Sequence, residues 1–466
     1  MSEIVEIELP RALNWEPWIA EIRALMRLAG PLVVTQLAQM AILTTDVVML
    51  GRLGKEALAG AAIGNTVFYF VWLLGLGPTS AIAPMIAHIL GARPSDRAGV
   101  RAVTRMGFWA VLVLWLPLGT VLLFAKDILL LLGQEPALAA AAGRFVLPLC
   151  FGLAFSLGFQ ALRNYVTALG RPNASLWVMA ATFLFNVAGD YGLIFGHFGL
   201  PAFGLFGSGL ATTCSFTFSC LMMIAVVLLT PALAKYRIFH RFLRPHWGTF
   251  TELFRLGMPI GMTMIFEASL FNAATLLMGL FGTSSVAAHQ VAINVSSITF
   301  MVPLGIGMAA TVRVGLADGA GDRAGARRAG FASILLAVTF MSVCALTIAA
   351  FPQQIARLYF SGDVANNADA IALAVLFLEV AAAYQVFDGI QVTAALSLRG
   401  LKDTQMPMWI AGACYWLAGF PMCLLLGIGL GLKGFGVWLG LAFALMMAAI
   451  FMCWRFHRLS RATRLK

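Results

Sequence analysis

The chain has 466 residues, of which 61% are hydrophobic and 11% charged, against about 25% charged residues in soluble domains. That composition excludes a soluble globular protein, and its apolar content, at roughly 20 residues per crossing, leaves room for up to a dozen or so membrane spans. The net charge of +11 comes from 31 lysines and arginines scattered over short loops rather than gathered on one basic face, which argues against nucleic acid as a partner.

The opening MSEIVEIELP has three glutamates and no cation. A secretory signal starts positively charged, so no cleaved signal is expected and residues 1–29 read as a cytoplasmic segment. Apolar stretches bounded by Gly, Pro or charged breaks then predict helices over 30–50, 57–88, 103–125, 144–168, 174–196 and 205–230. The longest polar connection, 231–256, reads as a cytoplasmic linker. Six more helices follow over 257–281, 286–316, 331–351, 371–398, 407–431 and 434–454, and residues 455–466 form a basic tail. The expected fold is an all-α integral membrane protein of twelve helices in two lobes, 30–230 and 257–454.

With the amino terminus inside, 25 of the 31 Lys and Arg lie on the cytoplasmic side, leaving Arg52, Lys55, Lys126, Arg144, Arg357 and Lys433 outside. The bias of cationic loops toward the cytoplasm therefore places both termini inside. Seven cysteines fall in or beside apolar runs with no CxxC pair, so they read as packing residues and not as a metal site. The glycine pairs 257/261, 427/431 and 436/440 at four-residue spacing are assigned to close helix packing.

The two lobes repeat each other at an offset of about 228 to 230 residues. RLAGPLVV from Arg27 aligns with RLGMPIGM from Arg255, Gly51 and Gly54 with Gly279 and Gly282, and DRAGVRA from Asp96 with DRAGARRA from Asp322. Later, Leu169 and Gly170 meet Arg399 and Gly400, and Gly204 meets Gly434. Six helices per lobe start the second copy on the same membrane side as the first, so the repeat is parallel, with its axis along the membrane normal and a cavity between or within the lobes.

Four acids fall at membrane depth: Asp46, Asp190, Glu267 and Asp388. An acid there costs about 2.5 to 3.5 kcal/mol on insertion scales. With no excess of intramembrane Lys or Arg in view, each should be protonated, cation-bound or wetted, states that suit a cation-coupled carrier. Asp46 and Asp190 reach similar depths on helices 1 and 5, and Asn186 shares the face of Asp190. Glu267 and Asp388 reach similar depths on helices 7 and 10, with Tyr384 and Gln391 on the face of Asp388. Na+ at Glu267 and Asp388 is one expectation. The lobes differ chemically, because Asp46 aligns with Ala274 and Glu267 with Gln39.

Pro31 and Pro259 hold equivalent places in helices 1 and 7 and are candidate hinges, the alternative being a harmless proline in a first helical turn. His289 and Gln290 on helix 8 are cavity candidates, although a lone buried histidine is more often satisfied by a neighbour. Cavity-facing aromatic and methionine side chains would suit flat organic cations. The sequence contains no HExxH, GxSxG or Walker-type GxxxxGK[ST], so neither hydrolysis nor ATP-driven pumping has a visible site.

TTDVVMLGRLG (44–54), FEASLFNA (266–273), VAAHQVAINVSS (286–297) and YQVFDGIQVTAALSLRGLKDT (384–404) together resemble the multidrug and toxic compound extrusion (MATE) transporters, in particular the NorM-like bacterial branch. The resemblance covers nearly the whole chain. It implies a monomeric secondary antiporter of the bacterial inner membrane, expelling organic cations for Na+ or H+ without a further cofactor. It also implies cation-site roles for Glu267, Asp388, Asp46 and Tyr384. FNVAGDYGLIFG (185–196) has Asp190 where NorM-like proteins can carry Asn, and so resembles the proton-coupled DinF-like branch. The rival reading is a lipid-linked saccharide flippase, which would need basic residues in the cavity. Only Arg163 and Arg313 are candidates, and both sit toward inner helix ends.

Overall fold

The computed structural model describes residues 15–360 and 367–461. Among these, twelve helices are long and apolar enough to cross a membrane: α1 (Glu16–Gly51), α2 (Lys55–Ala92), α3 (Arg97–Leu123), α4 (Pro136–Ala168), α5 (Asn173–Phe195), α6 (Gly204–Leu229), α7 (Trp247–Gly279), α8 (Thr283–Gly319), α9 (Arg323–Ala350), α10 (Ala368–Gly400), α11 (Gln405–Gly429) and α12 (Lys433–Arg461). All twelve expected spans are present. The spans alternate in direction and are even in number, so residues 15 and 461 lie at one end of the bundle, here the terminal end, opposite the distal end. The seven cysteines are free.

Most helices outrun the apolar stretches that announced them. Residues 16–29, read from sequence as part of a cytoplasmic segment, are about four turns of α1. Their apolar residues recur at helical spacing, and Trp18, Ile22, Leu25, Ala29 and Leu32 pack on Ile306, Ala309 and Ala310 of α8 and Ala332 of α9. Burial against the second half thus extends the helix beyond the hydrocarbon. α7 likewise begins at Trp247, ahead of the expected 257, with the His246 ring accepting from Thr249 N.

The repeat is written into the backbone. Gly54 (φ 115°, ψ 170°) and Gly282 (φ 99°, ψ 169°) adopt the same conformation at the starts of α2 and α8, a region open essentially to glycine. Asp96 and Asp322, from the two DRAG motifs, cap α3 and α9 by accepting from Gly99 N at 2.8 Å and Gly325 N at 2.7 Å. After α4 and α10 the repeat slips further than the sequence alignment implies. The left-handed turn residue is Gly170 in the first half and Lys402, not Gly400, in the second (φ 72° and 59°), each followed by a bond spanning the turn: Arg171 N to Val166 O and Asp403 N to Leu398 O.

The halves meet at the terminal end. A side chain on Gly257 of α7 would overlap Pro78 of α2, one on Gly91 would overlap Leu316 O, and one on Gly319 would overlap His88 O. A Cβ on Gly305 of α8 would stand 2.9 Å from Val33 N. Backbone-to-backbone approach of this kind is what small residues permit between membrane helices. Polar contacts cross the same seam: Arg313 of α8 donates to both Glu21 oxygens on α1 at 2.8 and 2.6 Å, and Asp318 of α8, paired within its own half with Arg323 at 3.1 Å, stands 3.4 Å from His88 Nε2 of α2. Beyond Val33 and Gly305 the helices diverge around a cavity of about 480 Å3, lined by Leu37, Met40, Thr44, Val48 and Arg52 of α1 and Ile298 of α8. The halves therefore form a V, closed at the terminal end and open at the distal end.

Replacing Gly257 with Val should lower the thermal midpoint in detergent, since overpacking costs about 1–3 kcal/mol. Replacing Gly279, which has open space around it, with Ala should leave that midpoint unchanged.

Candidate functional site

The first half brings Asp46, Asn186 and Asp190 together as their depths predict. α1 and α5 run side by side in the same direction, and the Asp46 carboxyl faces both Asp190 and Asn186. Asp190 and Asn186 are fully buried and Asp46 is half-buried. Asp46 Oδ1, both Asp190 oxygens and both Asn186 amide atoms have no hydrogen-bond partner among the described residues. Thr44 and Thr45 beside them donate back to Met40 O and Ala41 O, so they do not fill that need. Asp46 sits two residues from Thr44, about 200° around α1, and so turns away from the cavity wall toward α5. The cluster is a pair of carboxyls facing each other with an amide between, in which a proton or a cation would relieve the like-charge repulsion.

The second half brings Glu267 and Asp388 within electrostatic reach of each other. Asp388, Tyr384 and Gln391 are buried on one face of α10, while Glu267 on α7 is half-buried. Tyr384 faces Ser296 of α8 and lies edge-on to Trp438 of α12 at 5.5 Å. Asp388 Oδ1 and Gln391 Oε1 have no partner among the described residues. Together these groups present carboxylate, amide, phenol and hydroxyl oxygens, the donor set of a hard monovalent cation or a proton. Among the described residues no three His, Cys, Asp or Glu gather as a transition-metal site would require.

Four participants escaped sequence reasoning. Arg399, about three turns along α10 from Asp388 on the same stripe, lies within electrostatic reach of Glu267. The expectation that no intramembrane Lys or Arg is at hand to neutralise these acids is therefore corrected for Glu267, because the long arginine side chain carries its charge well away from its own backbone. Tyr415, fully buried with its hydroxyl unpartnered, faces Gln391 and senses both acids. It lies in a wide π-type turn of α11, Ala413–Gly419, that shifts the helix face out of ordinary register. Tyr69 of α2, stacked on Trp72 at 6.1 Å, addresses Glu267 from the first half. Trp438 carries Tyr384 on one side and His289 on the other, each ring centroid at 5.5 Å. A lone Arg, Tyr or Trp in an apolar run was the available signal, but it does not say which neighbour the residue meets.

The remaining candidates stand apart. His289 is buried with Nε2 3.0 Å from Thr275 Oγ1, while its Nδ1 is buried with no partner among the described residues. Gln290 is exposed at the distal part of α8 and joins neither cluster. Pro31 and Pro259 lie well inside α1 and α7, so the first-turn alternative fails: each removes a bond to the residue four before it. In each case the threonine one turn on, Thr35 or Thr263, donates to the proline carbonyl, at 2.7 and 2.8 Å. Arg163 is buried, donating to Gln36 Oε1 at 2.6 Å.

Two parallel six-helix halves, a cleft open at one end and buried acids at membrane depth define a membrane transporter rather than an enzyme. The MatE family pattern matches residues 31–192 and 259–425, one match in each half, and the chain belongs to this family, in its NorM-like branch. It is 43% identical over 446 residues, 95% of each chain, to the "Probable multidrug resistance protein NorM" of Mesorhizobium japonicum. It is 40% identical over 454 residues, 97% of each chain, to the protein of that name in Rhizobium meliloti. The fold matches the crystal structure of the eukaryotic MATE transporter AtDTX14 with a TM-score of 0.84 at 20% identity, covering 96% of this chain and 99% of that one. It matches the outward-facing conformation of a multidrug resistance MATE family transporter equally well, with a TM-score of 0.84 at 20% identity, covering 95% and 97%.

Replacing Gln36 with Leu would strip the buried Arg163 guanidinium of its short acceptor. The expected loss is about 1.5–3 kcal/mol, read as a lowered unfolding midpoint. Gln39→Leu, whose contact with Arg163 is 3.5 Å, should cost less.

Proposed function

We propose that this transporter exports organic, mainly cationic, drugs across the bacterial inner membrane in exchange for Na+ or H+. Its terminal end faces the cytoplasm. The observation that carries the reading is the two acid clusters, one per half, in which Asp46 Oδ1, both Asp190 oxygens and Asp388 Oδ1 are buried with no hydrogen-bond partner among the described residues. The names of the NorM relatives and the cationic bias of the terminal-end loops support it.

With an interior-negative potential, moving a monovalent cation outward costs about 2.3 kcal/mol per 100 mV, so the downhill entry of Na+ or H+ must drive it. Coupling requires that ion and drug favour opposite states or compete, because a ligand that binds both states equally shifts nothing. A cation arriving between Glu267 and Asp388 would take the place Arg399 holds electrostatically, and a proton or cation between Asp46 and Asp190 would let α1 and α5 close on each other. Pro31 gives α1 the local freedom to bend as that contact changes. Arg163 and Arg313, on which the flippase reading rested, are engaged by Gln36 and Glu21, which leaves Arg52 as the basic residue lining the cavity. The coupling needs no cofactor, and the pump acts as a monomer.

The test is ethidium transport in proteoliposomes with a pH gradient and a Na+ gradient imposed separately and no nucleotide present. Asp46→Asn, Asp190→Asn, Glu267→Gln and Asp388→Asn should each reduce gradient-driven transport about 5- to 150-fold, the range for 1–3 kcal/mol of coupling, with unchanged amounts of protein in the membrane. Transport unaffected by Glu267→Gln and Asp388→Asn together would remove the second cluster from the mechanism, and transport in the absence of any ion gradient would remove antiport altogether.

A further inference from the structure

Away from the cleft, at the terminal end, the linker between the halves is fastened to α3. Arg101 Nε donates to Tyr236 O at 2.9 Å, Arg105 Nη1 to Arg241 O at 2.9 Å and Trp109 Nε1 to Phe242 O at 3.0 Å. The three donors are spaced four residues apart, so a single stripe of α3 holds the linker. Between them lies a pocket of about 500 Å3, walled by α2 and α3 of the first half, by the linker, and by Glu252 and Lys402 of the second half.

Its charged lining is Arg101, Arg105, Arg241, Arg244 and Lys402, set against Asp96 and Glu252. Both acids are occupied: Glu252 accepts from Lys402 at 2.8 Å, and Asp96 accepts from Gly99 N at 2.8 Å. The guanidiniums of Arg101 and Arg105 are oriented by their bonds to linker carbonyls, and Arg105 Nε is enclosed with no partner among the described residues. Arg241 keeps a left-handed backbone, φ 54°, unusual for a side chain of its size. Beside the cations, Leu243 and Trp247 are 81% and 63% exposed. Exposed apolar side chains next to guanidiniums at the end of a helical bundle mark the membrane interface, where basic pockets between helices bind anionic headgroups.

The geometry points to this pocket as a site for the phosphate group of an anionic phospholipid headgroup, held by Arg105, Arg241 and Arg244 with its acyl chains along Leu243 and Trp247. A soluble phosphate shares the anionic chemistry but has no use for the two exposed apolar side chains. Because Arg105 belongs to α3 of the first half and Arg241 and Arg244 to the linker, a headgroup in the pocket ties the linker to the first half, beside the Lys402–Glu252 pair of the second.

The experiment is a thermal-midpoint titration of the full chain in detergent with short-chain phosphatidylglycerol, short-chain phosphatidylcholine and inorganic phosphate. It compares the native protein with the double variants Arg241→Gln/Arg244→Gln and Arg241→Lys/Arg244→Lys. Both side chains are exposed, so neither pair of substitutions disturbs the core. Phosphatidylglycerol should raise the midpoint of the native protein, and its half-saturating concentration should rise on the order of 30-fold in the glutamine variant and little in the lysine variant. Inorganic phosphate and phosphatidylcholine should give no comparable shift. A full shift from inorganic phosphate, lost in the glutamine variant, would overturn the lipid assignment in favour of a soluble anion. No shift from phosphatidylglycerol, an equal shift from phosphatidylcholine, or a shift unchanged in the glutamine variant would overturn the site.

Discussion

A carboxyl group in an apolar bundle cannot be left both charged and alone, and much of this structure is arranged around that constraint. In the first half the answer is a second carboxyl: Asp46 meets Asp190 across α1 and α5, with Asn186 beside them. In the second half the acids share polar neighbours and one distant cation, Arg399. The first cluster is suited to a proton or ion held between like charges. The second is a wider oxygen-rich set with a guanidinium within electrostatic reach of Glu267. Two halves built on one backbone repeat therefore carry two different chemistries.

What joins the two halves is the seam at the terminal end. Gly77 and Gly257, Gly91 and Leu316, and Gly319 and His88 bring backbones together so closely that no side chain fits between them. Glu21 with Arg313 adds an ion pair across the same surface, and Asp318 meets His88 there at 3.4 Å. Contacts of this kind are made or broken as a unit, because close-packed interfaces are bistable rather than continuously deformable. The proline in each lead helix, Pro31 or Pro259, lies near this seam and leaves one helical bond unmade, so a small change at Asp46 or Glu267 has a local hinge through which to act. Tyr69 of the opposite half lies within electrostatic reach of Glu267.

The pairing of Asp46 with Asp190 was legible from arithmetic on depth: a rise per residue, a common starting side and a four-residue spacing to Asn186 suffice. The partnership of Glu267 and Asp388 was legible in the same way. Tyr415 was not, because its face depends on a wide turn in α11 that has no hydrophobic period to announce it. Arg399 was read only as half of an RG pair at a helix end, since nothing in its sequence surroundings says that the side chain extends toward an acid on another helix. The ends of α1 and α7 were missed for a related reason: apolar runs report the hydrocarbon thickness, whereas the helices continue wherever another element buries them.

By itself, the sequence determined the number of spans, the parallel repeat, the turns and caps that recur in both halves, and the acids that membrane depth makes conspicuous. These are properties of single segments, governed by transfer free energy and local backbone preference. Only the tertiary structure decided which end of the V is closed, which lone Arg, Tyr and Trp side chains complete the acid clusters, and that a linker read simply as a connection walls a basic pocket. Each of these depends on contacts between residues far apart in the chain, and helical periodicity says which way a side chain points around its own axis but not what stands opposite it.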